Sequence, residues 1–172
     1  LDPYLLGVLL GDGCLTWTTS CALLSNPDQE IIGRVETSLA ALNMSMVSSG
    51  DKLNYRIQSN DGRGSSQLKP ILEYLGLIGT RSDTKFIPVE YGDAKLEDRW
   101  ELIRGLMDTD GYASDKGTIS YTTTSYELAK GLQDLIWSMG DICNIVEKEK
   151  SYTYKEERKL GKLAYQLNIR AR

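Results

Sequence analysis

The residues best placed to do chemistry are two aspartates, Asp12 and Asp110, each followed by a glycine and preceded by a short apolar run. Leu5-Leu6-Gly7-Val8-Leu9-Leu10-Gly11-Asp12-Gly13 recurs 98 residues later as Ile103-Arg104-Gly105-Leu106-Met107-Asp108-Thr109-Asp110-Gly111. The chain contains no histidine, which removes Ser-His-Asp and Cys-His nucleophile systems, imidazole bases and histidine zinc sites. What remains is carboxylates, lysines, water and a metal held by oxygen. Each run reads as a helix with its carboxylate at the C-terminal tip, facing the negative end of the helix dipole. Two such carboxylates side by side repel, and one pKa rises unless a cation sits between them. Hard ions such as Mg²⁺ or Ca²⁺ suit that oxygen environment, and metal-activated water attacking a phosphodiester is the chemistry it serves. An EF-hand is excluded, because Gly111 follows Asp110 directly and leaves no room for a third ligand. A single Asp-Gly would be an ordinary helix end beside a turn glycine; the repetition is what argues for a pair.

The elements that position these aspartates follow from local signals. Asp2-Pro3 opens the first helix, Asp as N-cap and Pro at the first helical position. Gly7 and Gly11 lie four apart, on one face, and form a groove for close approach of another helix; Gly105 and Thr109 take the same places in the second run. Cys14 to Ser25 has hairpin composition, Asn26-Pro27 starts a helix ending at Asn43, and Asn54 to Asn60 alternates as a strand. Leu68 to Leu75 predicts a helix closed by Gly76, and Gly79 to Asp93 is an irregular connector. The second half repeats the plan. A helix over Trp100 to Thr109 and strand-like sequence to Thr123 precede a capping box at Thr124-x-x-Glu127. Strands over Ile142–Tyr154 and Lys162–Ala171 complete it. The expected fold is α+β, with duplicated αββαββ halves, the first with an added helix, and two four-stranded antiparallel sheets joined through the glycine helices. The halves divide as residues 1–94, with the connector, and 95–172.

Composition bounds the function. The 172 residues, 41% apolar and 26% charged, suit a globular protein with a sizeable core. No apolar run reaches the ~20 residues of a membrane helix, so no membrane partner is expected; targeting cannot be read from the chain, and an intracellular location is the expectation. Three cysteines without a C-x-x-C pair read as reduced thiols. The net charge of −4 argues against indiscriminate coating of nucleic acid, although residues 145–172 hold eight Lys/Arg against four Asp/Glu. Residue 1 is Leu, so the chain is expected to be a piece of something longer.

Several stretches together resemble the LAGLIDADG homing endonucleases, in the form found inserted in inteins. They are Leu5 to Gly13, Lys85-Phe86-Ile87-Pro88, Leu102 to Tyr112, and Thr123-Thr124-Ser125 at a helix start. The resemblance implies a pseudo-twofold monomer whose two sheets form a saddle over double-stranded DNA. It implies divalent metal, Mg²⁺ with Ca²⁺ or Mn²⁺ as substitutes, at Asp12 and Asp110, with the carbonyls of Gly11 and Thr109 as added ligands. Lys85 falls on the family's active-site lysine and would stabilise charge at the scissile phosphate or tune the attacking water. Arg56, Gln58, Lys148, Lys150, Lys162, Gln166, Asn168 and Arg170 are the candidates to face DNA. The sequence departs from the pattern in three ways: Leu10 stands where the second copy has Asp108, no second lysine or last helix follows in the second half, and the chain is acidic. The splicing half of an intein, which leans on histidine, is not represented. The resemblance therefore implies a site-specific double-strand DNA endonuclease, part of a larger intein or host protein or living alone; the alternative is a catalytically degenerate, maturase-like DNA- or RNA-binding relative.

Overall fold

The computed structural model describes residues 1–16, 21–50, 53–62, 67–154 and 157–170, with the side chains of 150–160 outside the description. Its first half runs α1 (Pro3–Asp12), β1 (Gly13–Cys14), β2 (Ala22–Ser25), α2 (Gln29–Ala40), β3 (Met44–Ser48), β4 (Asn54–Ser59) and α3 (Leu68–Tyr74). A short helix, α4 (Val89–Gly92), lies in the connector. The second half runs α5 (Leu96–Asp110), β5 (Gly111–Ala113), β6 (Ile119–Thr123), α6 (Tyr126–Ser138), β7 (Ile142–Tyr154) and β8 (Glu157–Arg170). Each half builds one antiparallel sheet of the same topology, β1-β2-β4-β3 and β5-β6-β8-β7. The duplication read from the sequence is therefore a duplication of fold.

Helix α1 is the axis of the core. Tyr4 to Leu10 are all buried, with Leu5, Leu6, Val8 and Leu9 at 0% exposure. A helix that is apolar all round has to be covered all round, and here α5 packs on one side while sheet and α2 close the others. The glycine groove is used as expected. A Cβ on Gly7 would lie 2.5 Å from the Leu102 carbonyl oxygen, and one on Gly105 would lie 2.3 Å from that of Tyr4. A Cβ on Gly11 would meet the Thr109 hydroxyl. Backbone thus lies on backbone where α1 and α5 cross, and their tips arrive together.

The caps show where local reading succeeds and fails. Asp2 accepts from Leu5 N at 2.8 Å with Pro3 as the first helical residue, as expected. Asn43, at φ +54, and the glycines Gly76 and Gly140 end their helices in the left-handed region. At α6 the cap is Ser125 instead of Thr124: the Ser125 hydroxyl accepts from Leu128 N, and Thr124 turns away to donate to the Ser82 carbonyl. At α2 the cap is Asp28, which leaves Asn26 free for other work. No described helix is long and apolar enough to cross a membrane.

Candidate active site

Asp12 and Asp110 line one open pocket of about 320 Å³ at the paired helix tips, with Gly11, Thr122 and Ala164 among its walls. The structure thus brings together the two carboxylates that stand 98 positions apart. Asp12 is half-buried, and its carboxyl is pushed above the ordinary carboxylate range. The cause is burial. Asn26 and the Lys85 charge pull the other way.

Asn26, 5% exposed, donates through Nδ2 to Asp12 Oδ2 at 2.7 Å. Its own carbonyl oxygen accepts from Asp28 N at 2.7 Å, which fixes the amide's orientation. This residue was missed by sequence reasoning, which took Asn26-Pro27 as a helix start. The repeat offset held the signal, since 98 residues on from Asn26 is Thr124, a wall of the same pocket.

Lys85 is 3% exposed and donates to the carbonyls of Leu9, Gly11 and Gly13 at 3.0, 3.0 and 2.7 Å. An ammonium has three protons, and these three bonds engage them all. The lysine is therefore a C-cap of α1, supplying positive charge to the dipole's negative end beneath Asp12. Burial lowers its pKa to about 8, against the attraction of Asp110 and Asp12, which raises it. Its own carbonyl accepts from the Ser125 hydroxyl at 2.5 Å, so the connector is pinned to the start of α6. The Gly11 carbonyl that the resemblance names as a ligand is thus a Lys85 acceptor in this structure. Asp108, at the position filled by buried Leu10 in the first copy, accepts from the Tyr4 hydroxyl at 2.8 Å. It stands across the helix pair, outside the pocket wall.

The donor set fits a hard divalent ion in kind: two carboxylates, backbone carbonyls and open space for water, without imidazole or thiolate in the wall. Among the described residues no group of three or more His, Cys, Asp or Glu assembles. The remaining ligands of such an ion would be water and substrate oxygen, as is usual for Mg²⁺.

The residues expected to face DNA are distributed as follows. Arg56 is exposed and Gln58 half-exposed on the solvent face of β4. On β8, Gln166, Asn168 and Arg170 alternate in step with Ala164, which lines the pocket, so they share the pocket's face. Lys148 pairs with Ala164 across the β7–β8 ladder. Lys162 lies where the ladder bulges, between Leu160 and Leu163, and its ammonium is held by Asp83 of the connector. The Lys150 side chain lies outside the described residues.

The comparisons with known proteins agree with this architecture. Residues 97–170 match the family described as "LAGLIDADG-like domain". The whole chain superposes on structures of mesophilic variants of the homing endonuclease I-DmoI, with a TM-score of 0.62 at 14% identity, covering 98% of this chain and 87% of that one. The second half of the chain thus matches the LAGLIDADG-like domain, and the chain as a whole has the fold of the I-DmoI structures. A structure of I-DmoI in complex with DNA and Mn gives a TM-score of 0.54 at 16% identity, covering 98% of this chain and 88% of that one. Among curated proteins, the replicative DNA helicase DnaB of Mycobacterium intracellulare is 32% identical over 148 residues, 86% of this chain. The chain spans about a fifth of that relative's length.

Proposed function

We propose that this chain is a divalent-metal-dependent, site-specific endonuclease for double-stranded DNA. The observation that supports the reading most directly is the convergence of Asp12 and Asp110 in one pocket at the tips of two helices packed backbone to backbone. Asp12 and Asp110, with the carbonyls of Gly11 and Thr109, would hold Mg²⁺, or Ca²⁺ or Mn²⁺ in its place. When bound, the ion supplies a polarised phosphate oxygen and a water acidic enough to attack at neutral pH. Asn26 keeps the Asp12 carboxylate at a fixed angle, and Lys85 holds the α1 tip that presents it. The amide and basic side chains of Arg56, Gln58, Lys148, Gln166, Asn168 and Arg170 would lie along the duplex and fix its register. Complexes of the structural relative I-DmoI with DNA and Mn or Ca support both the substrate and the ion class.

The length of the helicase relative supports a second part of the proposal, that the LAGLIDADG module is carried inside a larger host protein. Selection of cleaved targets from a random duplex library tests the main claim. A defined long target cut with Mg²⁺ and left intact with EDTA is the expected result. Enrichment of bound but uncut duplexes would instead support the degenerate, binding-only relative.

A further inference from the structure

One polar group beneath the Asp110 tip has no part in the mechanism above. Tyr121 is fully buried at 0% exposure, and among the described residues its hydroxyl has no hydrogen-bond partner. Native interiors seldom leave such a group unpaired, and an unpaired one often marks an ion or ligand position. The strand register says where it stands. Tyr121 of β6 is opposite Gly111, the residue that ends α5, as Leu24 of β2 is opposite Gly13, the residue that ends α1. The second half therefore puts a phenol where the first half has a hydrocarbon.

The halves differ in one more respect at the same level. Beneath α1, Lys85 occupies the carbonyls of Leu9, Gly11 and Gly13. Among the described residues, no lysine reaches the matching carbonyls of Met107, Thr109 and Gly111. Its β6 neighbours Thr122 and Thr123 line the pocket that holds Asp12 and Asp110, which places Tyr121 just behind that wall. A phenol keeps its proton at neutral pH and can donate it.

We propose that Tyr121 is a positioning residue of the Asp110 side, its hydroxyl donating to an oxygen of the ligand shell that assembles there around the divalent ion. The proposal rests on Asp12 and Asp110 being metal ligands. It explains why a hydroxyl is buried without a partner among the described residues: its acceptor would come with the ion, as a carboxylate oxygen turned toward the metal or as a water held by it. Lys85 supports one helix tip permanently, whereas Tyr121 supports the other when the site is loaded.

Tyr121→Phe keeps the ring and removes only the hydroxyl, so the fold should stand. The probe is Mn²⁺ alone, followed by the electron paramagnetic resonance of the free ion, alongside thermal unfolding with and without Mn²⁺. Without metal the variant should melt at or above the wild-type temperature, because an unpaired hydroxyl is lost. Its Mn²⁺ affinity should fall by about tenfold, the lower end of what ligand-supporting hydrogen bonds contribute. In an Asp110→Asn background the same change should have no further effect on Mn²⁺, since the two act on one ligand shell. A purely structural tyrosine would lower the melting temperature and leave Mn²⁺ affinity alone. Wild-type Mn²⁺ uptake that Asp110→Asn weakens and Tyr121→Phe leaves unchanged would overturn the role of Tyr121 only. No uptake by the wild type, or uptake indifferent to Asp12→Asn and Asp110→Asn, would overturn the metal reading and this proposal with it.

Discussion

At the scale of single residues, the two aspartates are alike in sequence and unlike in surroundings. Asp12 is held by Asn26 and sits above a lysine-capped helix end. Asn26→Ala removes a bond to an ionised acceptor, and ligand-orienting bonds of this kind typically contribute about ten- to a hundredfold. The expected outcome is slower cutting of the strand served by Asp12, with the other strand cut at its usual rate, read on a duplex labelled separately on each strand. Lys85 gives a pH test. Its folded pKa is about 8 against 10.5 when unfolded, so between these values the unfolded chain holds more protons and stability rises with pH. The contribution is fully present above 10.5 and is lost as pH falls through 8. Urea unfolding at pH 7.5 and 9.5 should show the wild type gaining on Lys85→Met at the higher pH; a wild type that loses ground to the variant there would contradict the buried-lysine geometry. The aspartates were legible because their motif is repeated, and Lys85 only through the resemblance of Lys85-Phe86-Ile87-Pro88 to a known family. Asn26 and Tyr121 were not, because their roles depend on which side chains meet after the halves fold together.

At the scale of elements, the α1–α5 crossing is what makes a pocket from distant residues. It was readable from glycine spacing and the repeat, since only residues without side chains allow backbones this close. Gly105→Ala would place a Cβ 2.3 Å from the Tyr4 carbonyl and 3.0 Å from the Gly7 Cα. Neither atom is the end of a flexible side chain, so the helices must separate, at a cost of about 3 kcal/mol or more. Gly33→Ala is the control. A Cβ there meets nothing within 4 Å on the exposed face of α2, so it should stabilise by about 0.5–1 kcal/mol. Both are measured by urea unfolding, and equal effects would count against the close crossing. The strands were legible as alternation, whereas the Ser125 cap and the short α4 were not. Two adjacent hydroxyls compete for a cap, and which one wins is decided by the Ser82 and Lys85 carbonyls on the packed connector.

At the scale of the whole molecule, an acidic chain is read as a DNA enzyme through the placement of its charge. Gln166, Asn168 and Arg170 share the face of the acidic pocket, and the β7–β8 ladder extends that face. The negative charge at the centre is what a divalent ion would offset, so metal and DNA binding should reinforce one another. Lys162 is a reserve in that scheme, paired with Asp83 in the free chain and within the same hairpin. The most direct test is strand-resolved cleavage of a selected target by the wild type, Asp12→Asn and Asp110→Asn with Mg²⁺ present. The account expects the wild type to cut both strands, and each variant to lose cutting of at least one strand by on the order of 10²-fold or more while still binding the target. Undiminished cutting of both strands by either variant would contradict it.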